Sequence, residues 1–186
     1  MMTLAKGWLV ALISIALLAI GKPAPQAEAA SAVEIDASVH DTVDRFYREI
    51  GSARELASKA YGILVFPSIV KAGFGVGGEY GEGSLLVRGR PPEYYSTVSA
   101  SFGFQLGVQA RSVIIMFMTP DALDGFYRKD GWKVGVDGSV VLVTVGAGGA
   151  VDSNTIKSPI IGFVFDQKGL MYNLTLEGSK ITRIRP

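Results

Sequence analysis

The sequence predicts an α+β fold, mainly antiparallel β: a strongly curved sheet or small closed barrel with an N-terminal helix and a short internal helix. Three observations predict it. Helical periodicity is confined to residues before Tyr61, alternation with period two governs most of the remaining chain, and glycines cluster where long strands must bend. The chain has 186 residues, room for one domain with a real core. Its 23 glycines exceed the usual share of about 7%, so each cluster calls for a physical reason.

Residues 1–29 read as a secretory signal peptide. Lys6 gives a positive start, residues 8–20 form an apolar run of thirteen positions, and Ala27 and Ala29 are the small residues of a cleavage site after Ala29. Lys22 and Pro23 close the run too early for a retained span, which needs about 18 or more apolar residues. With no cysteine in the chain, disulfides, thiolate metal sites and a lipid-modified cysteine are excluded. Removing residues 1–29 takes away two of 18 basic and one of 17 acidic side chains, which leaves 16 of each. Long-range attraction to nucleic acid has no support in that balance, so no nucleic-acid partner is expected.

Residues 30–52 form an N-terminal helical segment. Val39, Val43, Phe46, Tyr47 and Ile50 recur on one helical face, and Ser31 with Glu34 has capping-box spacing. Ser52 with Glu55 repeats that spacing ahead of a second short helix through Lys59, the start of a β-rich domain over residues 53–186. Residues 62–66 read as a short apolar strand stopped by Pro67, and residues 94–108 alternate cleanly. "RSVIIMFM" from Arg111 is apolar on both faces and predicts a central strand buried on both sides. Thr119, Pro120 and Asp121 read as N-cap, first position and acidic first turn of a short helix. Strands are expected at residues 139–147, 159–166, 170–177 and 180–185 in an antiparallel meander, with "DQKGL" and "EGSK" as turns.

"KAGFGVGGEYGEG" holds six glycines in thirteen positions, with a literal GxGxxG at Gly73, Gly75 and Gly78. A dinucleotide fingerprint needs a helix directly after it, whereas "EYGEGSLLVRG" reads as strand, turn and strand, and Glu79 and Glu82 would repel a phosphate. The glycines are therefore expected to coil the sheet or admit a second layer, as is "GAGGA" at residues 146–150. No cofactor is implied.

Catalytic constellations are sparse. His40 is the one histidine, on the polar side of the first helix, with no GxSxG elbow or cysteine to accompany it, so no catalytic residue and no metal site is assigned. Glu79 with Glu82, and Asp121 with Asp124, are read as solvated turn and cap residues. Asn173 heads an N-x-T match inside a predicted strand and carries little weight. Basic side chains beside aromatics remain: Lys71, Arg88 and Arg90 near the glycine hairpin, Arg128, Lys129 and Lys133 around Trp132, and Lys180, Arg183 and Arg185 at the end. Gathered on one face near an exposed Trp132 or Tyr94, they would hold an anionic headgroup while the rings enter the interface. An outer-membrane barrel is disfavoured by the doubly apolar "VIIMFM" and the helical segments.

"SKAYGILVFPSIVKAGFGVGGEYGEG", "GFQLGVQARSVIIMFMTPDALDGF", "GWKVGVDGSVVLVTVGAGGAVD" and "PIIGFVFDQKGLMYNLTLEGSKI" together closely resemble the bacterial branch of the SYLF domain family, over residues 53–184. Eukaryotic relatives bind phosphoinositide membranes and, in some fungal members, actin. The resemblance implies a non-enzymatic lipid-binding module whose membrane contact here would use the helix over residues 39–50 with Lys59 and Lys71. For an exported bacterial protein it implies a periplasmic place, peripheral to the inner or outer membrane. The implied ligands are anionic lipids such as phosphatidylglycerol, cardiolipin or lipopolysaccharide; actin is not expected. The lipid-binding set is thus Lys59, Lys71, Arg88, Arg90, Lys129, Trp132 and Lys133. The alternative is a structural or protein-interaction domain of the periplasm with an envelope protein partner and no lipid ligand.

Overall fold

The computed structural model describes residues 30–145, 155, 157–168 and 176–186, without the side chains of residues 74–76 and 101–106. Helix α1 spans Ala32–Glu49 and α2 Ala53–Lys59; two long strands come next, β1 over Gly62–Leu86 and β2 over Glu93–Phe117. Then come α3 (Pro120–Tyr127), β3 (Trp132–Lys133), β4 (Val141–Thr144), β5 (Ile160–Lys168) and β6 (Lys180–Arg183). The expected α+β architecture with a strongly curled sheet is what the chain adopts. The expected strands at residues 139–147 and 180–185 are shorter than predicted, while that at 159–166 extends to Lys168. Most of the strand expected at 170–177, the "GAGGA" corner and Asn173 lie outside the described residues.

β2 organises the sheet. It pairs antiparallel with β1 along nearly its whole length, from Gly62 opposite Phe117 to Leu85 opposite Glu93. Its other edge takes β6 at Tyr95 to Val98 and β5 at Ala110 to Phe117. The expected meander is therefore corrected: β5 and β6 both pair with β2, and β4 runs parallel to β5. Pro67 does not stop the strand either, because a bulge between Phe66 and Ile69 accommodates a residue that cannot donate to the ladder. The Ser112 hydroxyl donates to the Pro67 carbonyl there, 2.8 Å away.

The hairpin curls back on itself, and glycine permits it. A β-carbon at Gly83 would lie 1.9 Å from the Val65 carbonyl oxygen, and one at Gly81 2.8 Å from that of Ser68, so the end of β1 lies directly against its start. Strand, not helix, comes after the GxGxxG, which therefore lacks the helix N-terminus a pyrophosphate needs.

Two cores result, one on each face of the sheet. Inside the curl, Leu64, Phe66, Val113, Ile115 and Phe117 pack with Ile160, Val164 and Ile181. α3 closes that core, with Phe126 5.0 Å from Phe117 and 5.6 Å from Trp132 between ring centroids. Its Thr119 caps it as expected, accepting from the Ala122 amide at 3.2 Å. On the outer face, Ile35, Val39, Phe46 and Leu56 of α1 and α2 cover Val65, Ile114, Met116, Ile161 and Phe163. Residues 111–117 are buried throughout, as a strand between two layers must be. The Ser31–Glu34 capping box forms at the start of α1. Ser52 makes no such bond, since its backbone is already helical rather than extended.

Candidate functional site

The predicted basic residues fall into two exposed groups and one buried one. At the end of the sheet near the β1–β2 turn, α2 finishes with Lys59, whose ammonium meets Glu55 at 2.6 Å. Arg88 donates from Nη2 to the carbonyl of Ser58 at 3.3 Å, which brings the turn against the end of α2. Arg90, two residues on, lies near the Tyr127 hydroxyl of α3, which donates to Glu93 at 3.2 Å. Burial chiefly, then the Glu93 carboxylate, raises that phenol above its ordinary value. Tyr61, 51% exposed, stands between α2 and β1, two residues after Lys59.

Just past α3, the Lys129 ammonium lies 3.2 Å from Asp137, which also accepts from the Lys133 amide at 2.8 Å. These bonds, the backbone one first, hold the Asp137 carboxyl below its ordinary value. Lys59, Arg88, Arg90, Lys129 and Lys133 are all exposed. Trp132 is not: at 1% exposure it belongs to the inner core, so the expectation of an exposed indole at the rim is corrected. Pairing of β3 with β6 sets Trp132 opposite Ile181 and turns the ring inward. Tyr61 is the aromatic that sequence reasoning passed over; its place two residues after Lys59, between helix and strand, was the available signal.

Lys71 is buried as well, at 6% exposure, and is not on the face of Arg88 and Arg90. Inside the curl it meets Glu79 at 3.4 Å, while Arg111 Nη2 donates to the other Glu79 oxygen at 2.6 Å. The reading of Glu79 as a solvated turn residue is thereby corrected: it is 7% exposed, on the returning half of β1. Arg111 is 3% exposed, and burial lowers its guanidinium from the ordinary value, with Glu79 partly offsetting the loss. Gln109, opposite Lys71 across the ladder, completes the polar row. Three charges from three stretches of chain thus meet where the hairpin folds over.

Glu82 is half-buried, on the other side of the same strand. It accepts from the Ala30 amide at 3.0 Å and from the Tyr80 hydroxyl. Burial first and then Glu82 push the Tyr80 phenol up to about 12. These groups border a groove of 590 Å³ between the start of α1 and the outer face of the hairpin. An apolar stripe of Val70, Tyr80, Val98 and Val108 is exposed on that face.

Among the described residues no group of three or more His, Cys, Asp or Glu side chains could hold a metal. No described helix is long and apolar enough to cross a membrane, which says nothing of strands. No curated protein matches the chain. Residues 98–185 match the profile of the Ysc84 family, described as Las17-binding protein actin regulator. The match takes in β2 from Val98 onward together with α3 and β3 to β6, the elements that build the inner core and half of the hairpin. Over that span the chain matches the Ysc84 family, the SYLF domain family its sequence resembles.

Proposed function

We propose that this domain is a non-enzymatic module of the bacterial cell envelope, exported and cut after Ala29, that binds anionic phospholipid headgroups reversibly. Lys59, Arg88, Arg90, Lys129 and Lys133 would meet the headgroups, and Tyr61 would enter the interface. The observation that carries this reading is the Arg88 contact with Ser58, which gathers cations from α2 and from the β1–β2 turn at one end of the sheet. Lys71 and Trp132 have other work: one neutralises Glu79 inside the curl, and the other fills the core. The exposed stripe of Val70, Tyr80, Val98 and Val108 favours the second reading, a protein-interaction domain of the envelope.

Vesicle flotation separates the two. Wild type is expected to float with phosphatidylglycerol vesicles, to stay down with phosphatidylcholine, and to release as salt shortens the screening length to about 3 Å at 1 M. Each basic residue near an anionic surface contributes about 1 kcal/mol, so Arg88→Glu with Arg90→Glu is expected to weaken binding by at least about tenfold. Equal flotation on neutral vesicles, or indifference to both salt and the double substitution, would overturn the lipid reading.

A further inference from the structure

The expected cleavage point lies directly before a residue whose backbone nitrogen already contacts the hairpin. Ser31 is the N-cap of α1: its hydroxyl and amide both donate to Glu34, and the Glu34 amide donates back to the hydroxyl. Ala30, one residue earlier, already has its nitrogen 3.0 Å from a Glu82 carboxylate oxygen that lies 52 positions away in the chain. In the uncut chain that nitrogen is a neutral amide. After cleavage at the Ala29–Ala30 peptide bond, in which water adds across the bond to leave the Ala29 carboxylate and the Ala30 amine, the same atom becomes an ammonium.

We propose that Glu82 is a receiving site for the new amino terminus, so that processing converts an amide hydrogen bond into an ion pair which fastens the start of α1 to the hairpin. The proposal rests on the reading that the chain is exported and cut after Ala29. The geometry requires no rearrangement, because the nitrogen is already at ion-pair distance. Tyr80 donates to the other oxygen of Glu82 and stays a neutral phenol, orienting the carboxylate toward Ala30. The charged groups around the groove also favour a cation. α1 brings Glu34, and β1 brings Glu82 and, on its inward side, Glu79, which Lys71 and Arg111 engage. β2 contributes uncharged Val98 and Ser99.

An ammonium paired with a carboxylate titrates above the ordinary α-amino value of about 7.7–8.0. The stabilisation would be complete below that value and would fade as pH rises through the raised one. The test uses the processed protein recovered from exporting cells. Its intact mass is expected to show Ala30 as the first residue, and NMR titration of the isotopically methylated α-amine is expected to give a pKa raised by about one unit. Glu82→Gln is expected to return that pKa to the ordinary range and to lower the thermal midpoint of the processed protein. A different first residue overturns both the cleavage site and the capture. Ala30 in first place with an ordinary amine, unmoved by Glu82→Gln, overturns the capture alone. Neither result bears on vesicle binding, because Glu82 lies away from the basic end.

Discussion

Near the start of β1 the hairpin turns Leu64, Phe66, Val113, Ile115 and Phe117 inward; beyond the bulge at Pro67, the same inward rows carry Lys71, Gln109 and Arg111, with Glu79 returning to meet them. One strand pair and one alternation thus serve two chemistries. In the apolar half, stability comes from area removed from water, and an apolar side chain of similar volume and shape would serve. The charged half cannot be stabilised that way, because each ion costs several kcal/mol to bury and is repaid only by its partners. Glu79 comes from the returning half of β1, while Lys71 comes from the outgoing half and Arg111 from β2. The trio therefore ties together the parts of the hairpin that the curl brings face to face.

The largest expected effect breaks this tie. Glu79→Ala leaves Lys71 and Arg111 buried without the carboxylate between them and is expected to lower the unfolding free energy by about 3–5 kcal/mol. Phe117→Ala, in the apolar half, is expected to cost about as much, about 3–5 kcal/mol, through the cavity it opens. The two halves differ in the rescue. Replacing the trio together, Lys71→Met with Glu79→Leu and Arg111→Met, is expected to return stability to within about 1 kcal/mol of wild type or above it. Urea unfolding measures all three variants. A triple variant as unstable as Glu79→Ala would show that the charged half contributes net stability and that the distinction between halves is wrong.

A smaller effect probes the curl itself. Gly83→Ala sets a β-carbon against the Val65 carbonyl, a contact with backbone that cannot swing aside, and is expected to cost about 1–3 kcal/mol or more. Gly51→Ala is the matched control: nothing lies within 4 Å of its added carbon, so stability should move by no more than about 0.5 kcal/mol. Equal stability of the two variants in thermal unfolding would mean that the start and end of β1 are not in contact.

The same comparison accounts for what could be read in the residues beforehand. The helix starts at Ser31 and Thr119, the doubly buried strand from Arg111 and the bending role of the glycines all rest on local patterns, and local patterns survive folding. Lys71 and Glu79 were misplaced because inward parity is visible only once the bulge is known. Leu64 and Phe66 face the core at even positions, and the one-residue shift at Pro67 hands that row to Ile69 and Lys71. Trp132 was misplaced for a related reason: its neighbours are charged, but its burial is decided by β6, 48 or more positions away in the chain. The parallel β4–β5 pair and the contact of Arg88 with α2 are likewise products of distant chain meeting in space.

The outer face extends the contrast at the smallest scale, through two serines of identical motif. Ser31 opens α1 over the groove beside Tyr80, at the charged half, and Ser52 opens α2 over the apolar half, where Leu56 packs with Val65 and Met116. Ser31 has extended backbone and a complete capping box, whereas Ser52 sits at φ −83° and ψ −4° with no side-chain cap bond. Capping strength depends on that geometry rather than on the residue, because only an extended N-cap aims its oxygen at the free amides of the first turn. Ser31→Ala is therefore expected to cost about 1 kcal/mol, and Ser52→Ala no more than about 0.5 kcal/mol. Hydrogen exchange at the first-turn amides should localise the loss to α1. If both variants lost equal stability, burial of Ala53 and Leu56 would not be what holds α2 in place, and the apolar half would depend on polar contacts as the charged half does.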